Sequence, residues 1–236
     1  MTKITAFLPC RKGSQRVINK NTRKFCGIDG GLTKIKITQL IETPSIDKII
    51  VSTDDEKVKQ ICFEQLIRSS KEFEILDRPS HLAASNTSTD DVIKYINEII
   101  KEITDILWTH VTSPFVDETI YEQAINEFKK NQSQFDSLMS VTKVQKYLWD
   151  ESGNAINYNR SIEKWPPTQS LPELYEVNSA IFIANIEIYR QYFDRIGVNP
   201  FLFKTDEFVS KDIDWEEDFK IAEAQWKNNQ KNTGEC

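Results

Sequence analysis

Ile4 to Asn21 reads I-T-A-F-L-P-C-R-K-G-S-Q-R-V-I-N-K-N. Its opening, Ile4 to Pro9, is a short apolar run of the length of a buried strand. The run leads into a loop, Pro9 to Asn21, in which Gly13 and Ser14 sit among Arg11, Lys12, Arg16 and Lys20, with Arg23 just beyond. Glycine lets the backbone approach an anion closely, and exposed amides can cradle phosphate oxygens. Arginine and lysine then neutralise several negative charges together. A loop just past the carboxyl end of a first parallel strand is where open α/β sheets bind ligands. Composition alone leaves an ordinary solvated basic loop as the open alternative. Neither G-x-x-x-x-G-K-[ST] nor G-x-G-x-x-G occurs, which removes the main support for a P-loop kinase or a nicotinamide-dependent dehydrogenase.

Outward from that stretch, short apolar runs alternate with segments of helical period, the pattern of a mostly parallel sheet flanked by helices. Strands are expected at Lys48 to Ser52, Phe73 to Leu76, Ile106 to His110, Ser137 to Val141 and Ala180 to Ala184. Val92, Ile93, Ile96, Ile99, Ile100 and Ile103 fall on one helical stripe that Thr89, Asp90 and Asp91 can start. Ile120, Ala124, Ile125 and Phe128 form a second stripe, and a last helix is expected around Asp218 to Trp226. The section 143–175 breaks the alternation. It holds Trp149, Gly153, Trp165 and Pro166-Pro167 between polar residues, which suggests a hairpin, interface arm or lid on one domain spanning 1–236.

Composition narrows the function classes. The 236 residues suffice for one sizeable α/β domain, and 39% hydrophobic with 28% charged residues rules against disorder along the whole chain. A net charge of −6 argues against general affinity for nucleic acid or an anionic membrane, although it leaves room for a local basic pocket. No apolar stretch approaches the ~20 residues that span a bilayer. Cys10, Cys26, Cys62 and Cys236 form no C-x-x-C pair, and His81 and His110 cannot complete a zinc set with them. Reduced thiols in a cytoplasmic protein are the expectation.

A second signature lies at Lys211 to Asp218, K-D-I-D-W-E-E-D. If Phe208 to Asp214 is extended, Asp212 and Asp214 project to one face. Paired carboxylates repel unless a cation lies between them, and hard oxygen ligands of this kind suit Mg2+ completed by substrate phosphates. Capping or plain solvent exposure is the alternative for the pair. Glu216, Glu217 and Asp218 read as the acidic first turn of the following helix. A phosphate cradle and a metal-binding pair together describe metal-assisted nucleotidyl transfer.

In sequence order, these residues resemble the CMP-N-acetylneuraminic acid synthetases, also called acylneuraminate cytidylyltransferases, which are related to the CMP-Kdo synthetases. The resemblance runs over nearly the whole chain. It begins with L-P-C-R-K-G-S-Q-R-V-I-N-K-N at Leu8 to Asn21 and I-I-V-S-T-D at Ile49 to Asp54. It continues with R-P-S-H-L-A at Arg78 to Ala83 and T-S-P at Thr112 to Pro114. N-S-A-I-F-I at Asn178 to Ile183 and D-I-D-W-E-E-D-F-K-I-A-E at Asp212 to Glu223 complete it. The resemblance implies a Rossmann-like nucleotidyltransferase fold and transfer of CMP from CTP to a sugar acid, with Mg2+ and release of pyrophosphate. It further implies that Arg11, Gly13, Ser14 and Lys20 meet the triphosphate, Asn21 the nucleoside and Arg78 the cytosine side. Asp212 and Asp214 would hold the metal, His110 and Asn178 would face the acceptor, and Arg11, Lys20 and Asp214 would serve the chemistry. A homodimer in which 143–175 reaches the partner is implied as well.

The departures fall on the acceptor side. His110 stands where the family usually has glutamine, Ser85 where many members have aspartate, and Trp149 and Thr168 where basic residues are usual. His110 reads either as a donor to the acceptor or as a satisfied buried histidine. A nonulosonic, sialic-acid-like acid is the expected acceptor. The alternatives are transfer to a phosphonate, phosphate or other sugar acid, and a catalytically silent nucleotide-binding homologue.

Overall fold

The computed structural model describes residues 2–14, 16–84 and 86–233, with side chains through 229. Seven strands form one sheet: β1 (Ile4–Cys10), β2 (Lys48–Thr53), β3 (Glu72–Asp77), β4 (Asp105–Trp108), β5 (Ser137–Val144), β6 (Leu174–Asn185) and β7 (Pro200–Lys204). Their spatial order is β3-β2-β1-β4-β6-β5-β7. All pairings are parallel except those of β6, which runs antiparallel between β4 and β5. The mostly parallel α/β sheet expected from the alternation is present.

Period-two alternation assigns the two faces. Ile4, Ala6 and Leu8 of β1 join one core with Ile49, Val51, Leu107 and Ile183, while Phe7, Ile50, Ile106, Trp108 and Phe182 point into the other. The first core is covered by α1 (Gly31–Glu42), α2 (Glu56–Leu66), α4 (Glu118–Asn131) and α6 (Glu216–Thr233), and the second by α3 (Thr89–Ile99) and α5 (Ile186–Tyr192). Each Leu or Ile buried this completely contributes roughly 1.5–3 kcal/mol against its exposed state.

Four caps are side chains accepting a backbone N–H: Asp55 for α2, Ser88 for α3, Asp117 for α4 and Asn185 for α5. The isoleucine stripe is shorter than expected. Ile100 leaves helical geometry as the C-cap of α3, and Ile103 lies exposed in the descent to β4. β4 ends at Trp108 rather than His110, although the Thr109 N–H still donates to Phe7 O at 3.2 Å. Residues 208–214 are not one extended run: a turn closes at Ser210, and only 211–214 continue outside any strand.

The section 143–175 emerges between the paired strands β5 and β6 and contains an isolated bridge between Trp149 and Ala155. Its core is aromatic. Trp149 stacks on Trp165 at 6.1 Å, Tyr147 and Tyr158 pack edge-on at 5.3 Å, and Arg160 lies over both indoles. Among the described residues, no helix is long and apolar enough to cross a membrane. Cys10, Cys26 and Cys62 are unpaired thiols, and burial pushes the Cys10 thiol up to about 12. Ser85 and Cys236 lie outside the described residues.

Candidate active site

Because β1, β2 and β4 are parallel, their carboxyl ends share one edge of the sheet. The connections leaving that edge carry the candidate residues. The loop after β1 is fastened from several sides. Its Lys12 N–H donates to Asp54 Oδ1 at 2.7 Å, just past the end of β2. Asn21 Nδ2 donates to Arg11 O at 3.1 Å and closes the loop on itself, and Asn21 O receives the Thr33 N–H and hydroxyl at 2.9 Å each. Gly31 completes the anchorage: at φ +53° it starts α1 so close to Arg23 that a Cβ would stand 1.9 Å from its carbonyl oxygen. Gly13, also at positive φ (76°), faces open space, and neither it nor Ser14 hydrogen-bonds to another described residue. Their exposed backbone is available to an anion.

The acidic segment lies directly against this loop. Lys20 is the joint: its mostly buried side chain donates from Nζ to Ile213 O at 2.6 Å and approaches Asp214 Oδ1 at 3.6 Å. Arg16 Nη1 is 3.1 Å from Asp214 Oδ2, and its guanidinium lies over Trp215. Arg23 grips Glu216 through both ends of its fork, at 2.9 and 2.8 Å. Ile213 is fully buried, with its N–H donating to Thr112 O at 2.9 Å, while Asp212 and Asp214 on either side remain open to solvent. The two carboxylates flank this buried residue outside any strand, near enough for the Asp214 charge to act on Asp212.

Electrostatics agrees with that pairing. Crowding by protein raises the Asp212 carboxyl above the usual range; a hydrogen bond from Thr112 opposes this, the nearby Asp214 charge adds to it, and Lys20 offsets it. Two neighbouring hard oxygen donors, one raised by crowding and then by the charge of the other, are chemically suited to a Mg2+ ion. Among the described residues, no group of three or more His, Cys, Asp or Glu forms a self-sufficient metal site. Arg11 and Lys12 pair with no carboxylate among those residues, so their charge is free for a ligand.

Arg78 enters from the end of β3. Its backbone N–H donates to Thr53 O at 3.0 Å and its Nε to Leu82 O at 2.7 Å. Burial lowers its pKa, Asp54 opposes the shift and the like charge of Arg11 adds to it, which places Arg78 beside the loop. His110 lies just past β4. Its Nε2 accepts the Trp108 indole N–H at 3.0 Å, and burial first, then the positive field of Arg195, Lys20, Lys36 and Arg78, pushes its pKa down to about 3. The ring is neutral at physiological pH, and with Nε2 accepting, its proton sits on Nδ1.

Asn178 stands somewhat apart. Its Oδ1 accepts from Ser140 Oγ at 2.6 Å and from the Ala180 N–H, and its Nδ2 donates to Thr142 and Thr205 hydroxyls at 3.0 and 2.7 Å. These bonds tie β5, β6 and the residue after β7 together where Ser179 takes φ 59°.

Two residues that the sequence patterns did not single out also shape this edge. Lys36, fully buried on α1, donates to Ser113 O and Val116 O at 2.9 Å each and to Tyr121 Oη at 2.7 Å, thereby fixing the T-S-P loop. Its only sequence signal is its four-residue spacing from Leu32 and Leu40 on an apolar face. Arg195 lies over Phe182 and Trp108 in a connection with no motif at all. A recess of about 670 Å³ lined by Ile18, Arg23, Lys24 and Lys57 opens on the outer side of the loop and includes none of Arg11, Arg78, His110 or Asp212.

A family model described as cytidylyltransferase matches residues 5–231. The chain belongs to the cytidylyltransferase family. The chain is 30% identical over 237 aligned positions to an N-acylneuraminate cytidylyltransferase of Escherichia coli O18:K1:H7, covering 98% of the chain and 54% of that protein. It therefore spans about half the length of that relative. A post-translational flagellin modification protein B of Campylobacter coli is 24% identical, with 94% of each chain covered. Among solved structures, CMP:2-keto-3-deoxy-manno-octonic acid synthetase in complex with CTP superposes with a TM-score of 0.68 at 12% identity, covering 97% of this chain and 100% of that one. The 4-diphosphocytidyl-2C-methyl-D-erythritol synthase of Anaerococcus prevotii gives 0.65 at 14% identity, with 96% of each covered. At such identities the likeness speaks for the fold: a nucleotidyltransferase sheet with the same overall course.

Proposed function

We propose that this protein transfers CMP from CTP to an anionic acceptor, a nonulosonic sugar acid of the sialic-acid type, with Mg2+ and with release of pyrophosphate. The observation that carries the reading is the junction at Lys20, where the phosphate-cradling loop is bonded to the segment bearing Asp212 and Asp214. An acceptor hydroxyl oxygen loses its proton to solvent and forms the new bond to the α-phosphorus, while the bond from that phosphorus to the oxygen bridging the β-phosphate breaks and that oxygen leaves with the electron pair as part of pyrophosphate. Arg11, Lys12 and the open backbone at Gly13 and Ser14 receive the triphosphate and disperse its charge. Asn21 and Arg78 border the nucleoside end, and His110 with Asn178 borders the acceptor side, Asn178 as the residue that fixes the β6 irregularity. Asp212 and Asp214 would hold Mg2+ with phosphate oxygens, and the bound ion supplies charge neutralisation at those phosphates. Lys20, already hydrogen-bonded to Ile213, holds the two halves in register, so positioning rather than covalent participation carries the rate.

The test is pyrophosphate release on incubation with CTP, Mg2+ and a panel of sugar acids, phosphonates and phosphates. Release with a nonulosonic acid is expected. No release with any acceptor, together with no detectable CTP binding, would refute the reading. Exposed apolar side chains at Ile156, Ile162, Trp165 and Val177 support the companion proposal that the protein is a homodimer through 143–175.

A further inference from the structure

The Arg195 guanidinium makes no hydrogen bond and no ion pair among the described residues. The residue lies in the connection from α5 to β7, with its guanidinium carbon 3.6 Å from the Phe182 ring centroid and 5.2 Å from that of Trp108. Its backbone N–H donates to Asp194 Oδ1 at 2.6 Å, but its guanidinium meets no carboxylate and no hydrogen-bond acceptor among the described residues. Stacking on two aromatic rings stabilises such a cation through the negative faces of the rings. That accounts for the ring contacts and leaves five N–H donors in a half-buried place unanswered. Burial lowers the Arg195 pKa, and the nearby Tyr189 hydroxyl and Asp194 carboxylate only partly oppose that shift, without reaching hydrogen-bond or ion-pair distance of the guanidinium.

A second unanswered donor is adjacent. His110 uses Nε2 to accept the Trp108 indole N–H, which leaves its Nδ1–H with no partner among the described residues. Trp108 is thus a shared platform: its N–H orients the histidine and its ring face carries the arginine. Of the other cations whose field reaches His110, the two lysines are bonded elsewhere. Lys20 bonds Ile213 O and pairs with Asp214, while Lys36 is held by three oxygens. Arg78 spends its Nε on Leu82 O and is the cation proposed above for the nucleoside end.

We propose that Arg195 and His110 form a carboxylate-binding subsite for the acceptor acid, the guanidinium fork taking both carboxylate oxygens and His110 adding one N–H. This rests on the acceptor being a sugar acid, as proposed above. The charge fits: one fixed cation and one neutral donor match a monoanion, whereas a phosphate dianion would be left partly uncompensated. Arg195 is therefore a specificity-determining residue that sorts acids from neutral sugars.

The test measures binding in the absence of divalent ions, so that no transfer intervenes. Titration calorimetry of the CTP-loaded protein compares N-acetylneuraminate and 2-keto-3-deoxy-manno-octonate with their methyl esters. The unsubstituted protein is expected to prefer the acid at least tenfold. Arg195→Met, which keeps an unbranched stem against Phe182, is expected to bring that preference to within about twofold, and Arg195→Lys to retain part of it. CTP affinity should stay within about twofold in both variants, a control for a merely structural effect. The subsite is overturned if Arg195→Met keeps the preference, if the unsubstituted protein does not distinguish acid from ester, or if it binds neither acid. Arg195-dependent acid binding with no transfer when Mg2+ is restored would refute the transferase reading and leave the subsite standing. Transfer with an unchanged acid-to-ester ratio in Arg195→Met would do the reverse.

Discussion

Asp214 is the residue where the basic loop and the acidic segment meet, and its two oxygens point to different cations, Arg16 and Lys20. Both pairs are half open to solvent at the aspartate, so their contribution to stability is small, roughly 0–1 kcal/mol each. The importance of the carboxylate is in charge placement beside Asp212. Asp214→Asn is therefore expected to leave CTP binding largely intact, as read by calorimetry, while lowering turnover at least tenfold in a pyrophosphate assay. Unchanged turnover would remove Asp214 from the mechanism. His110 allows a prediction of a different kind. Its folded pKa of about 3 lies below the value near 6.5 of an unfolded histidine. Above about pH 6.5 both states are neutral and the full stability is present. As pH falls below that, the unfolded chain takes up a proton that the folded chain refuses, and stability drops by up to about 1.4 kcal/mol per pH unit until the folded value is reached. His110→Gln keeps an acceptor for the Trp108 N–H and removes the titration. Its urea midpoint should fall less steeply than that of the unsubstituted protein between pH 6.5 and 4, and parallel curves would show that the histidine is not held neutral.

Among the elements, α1 is the one most closely tied to the site. Gly31 starts it against the loop, Thr33 holds Asn21, and Lys36 fixes Ser113 and Val116 from beneath. Lys36→Met keeps the stem volume and leaves three buried oxygens without their donor, which is expected to cost about 2–4 kcal/mol in denaturant unfolding. A loss below 1 kcal/mol would mean that water replaces the ammonium. The same helix shows where sequence reading runs out. Strands such as Ile4–Cys10 and Lys48–Thr53 announce themselves because both their faces are buried, giving continuous apolar runs. By contrast α1 buries Lys36 and Gln39 on its inner face, so its stripe looks broken, and α2 buries only Val58, Cys62 and Leu66. Edge strand β7 opens on Pro200, a position where proline is tolerated and no period is visible. The basic loop and the acidic segment that meet at Lys20 were legible because local loop chemistry and a two-residue carboxylate spacing mark them. Arg195 was not, because its place depends on how a connection folds over Phe182 and Trp108, a contact between segments far apart in the chain.

At the scale of the whole molecule, the surface is uneven in a way that a solitary domain does not require. The two-strand extension of β5 and β6 carries Leu174 and Val177 outward, and the section beyond it displays Ile156, Ile162 and Trp165, the last 60% exposed. The cluster beneath them is already ordered: Tyr147 donates its hydroxyl to Pro166 O, and Arg160 covers the Trp149–Trp165 stack. A rigid aromatic base topped by exposed aliphatics is the composition of an interface centre, where rigid side chains lose little entropy on association. The protein is therefore expected to be a dimer at micromolar concentration by size-exclusion with light scattering. Ile162→Lys, at a position 85% exposed, should shift it toward monomer without changing the far-ultraviolet circular dichroism. A monomeric unsubstituted protein would count against the interface, and a dimer insensitive to Ile162→Lys would place the contact elsewhere on the surface. If pyrophosphate release falls in parallel with dissociation in that variant, while CTP affinity holds, the partner subunit assists the acceptor side rather than the nucleotide loop. That outcome is the one expected from the geometry, since the section 143–175 grows from β5 and β6, the strands that Asn178 braces, and the basic loop proposed for CTP grows from β1 on the far side of β4.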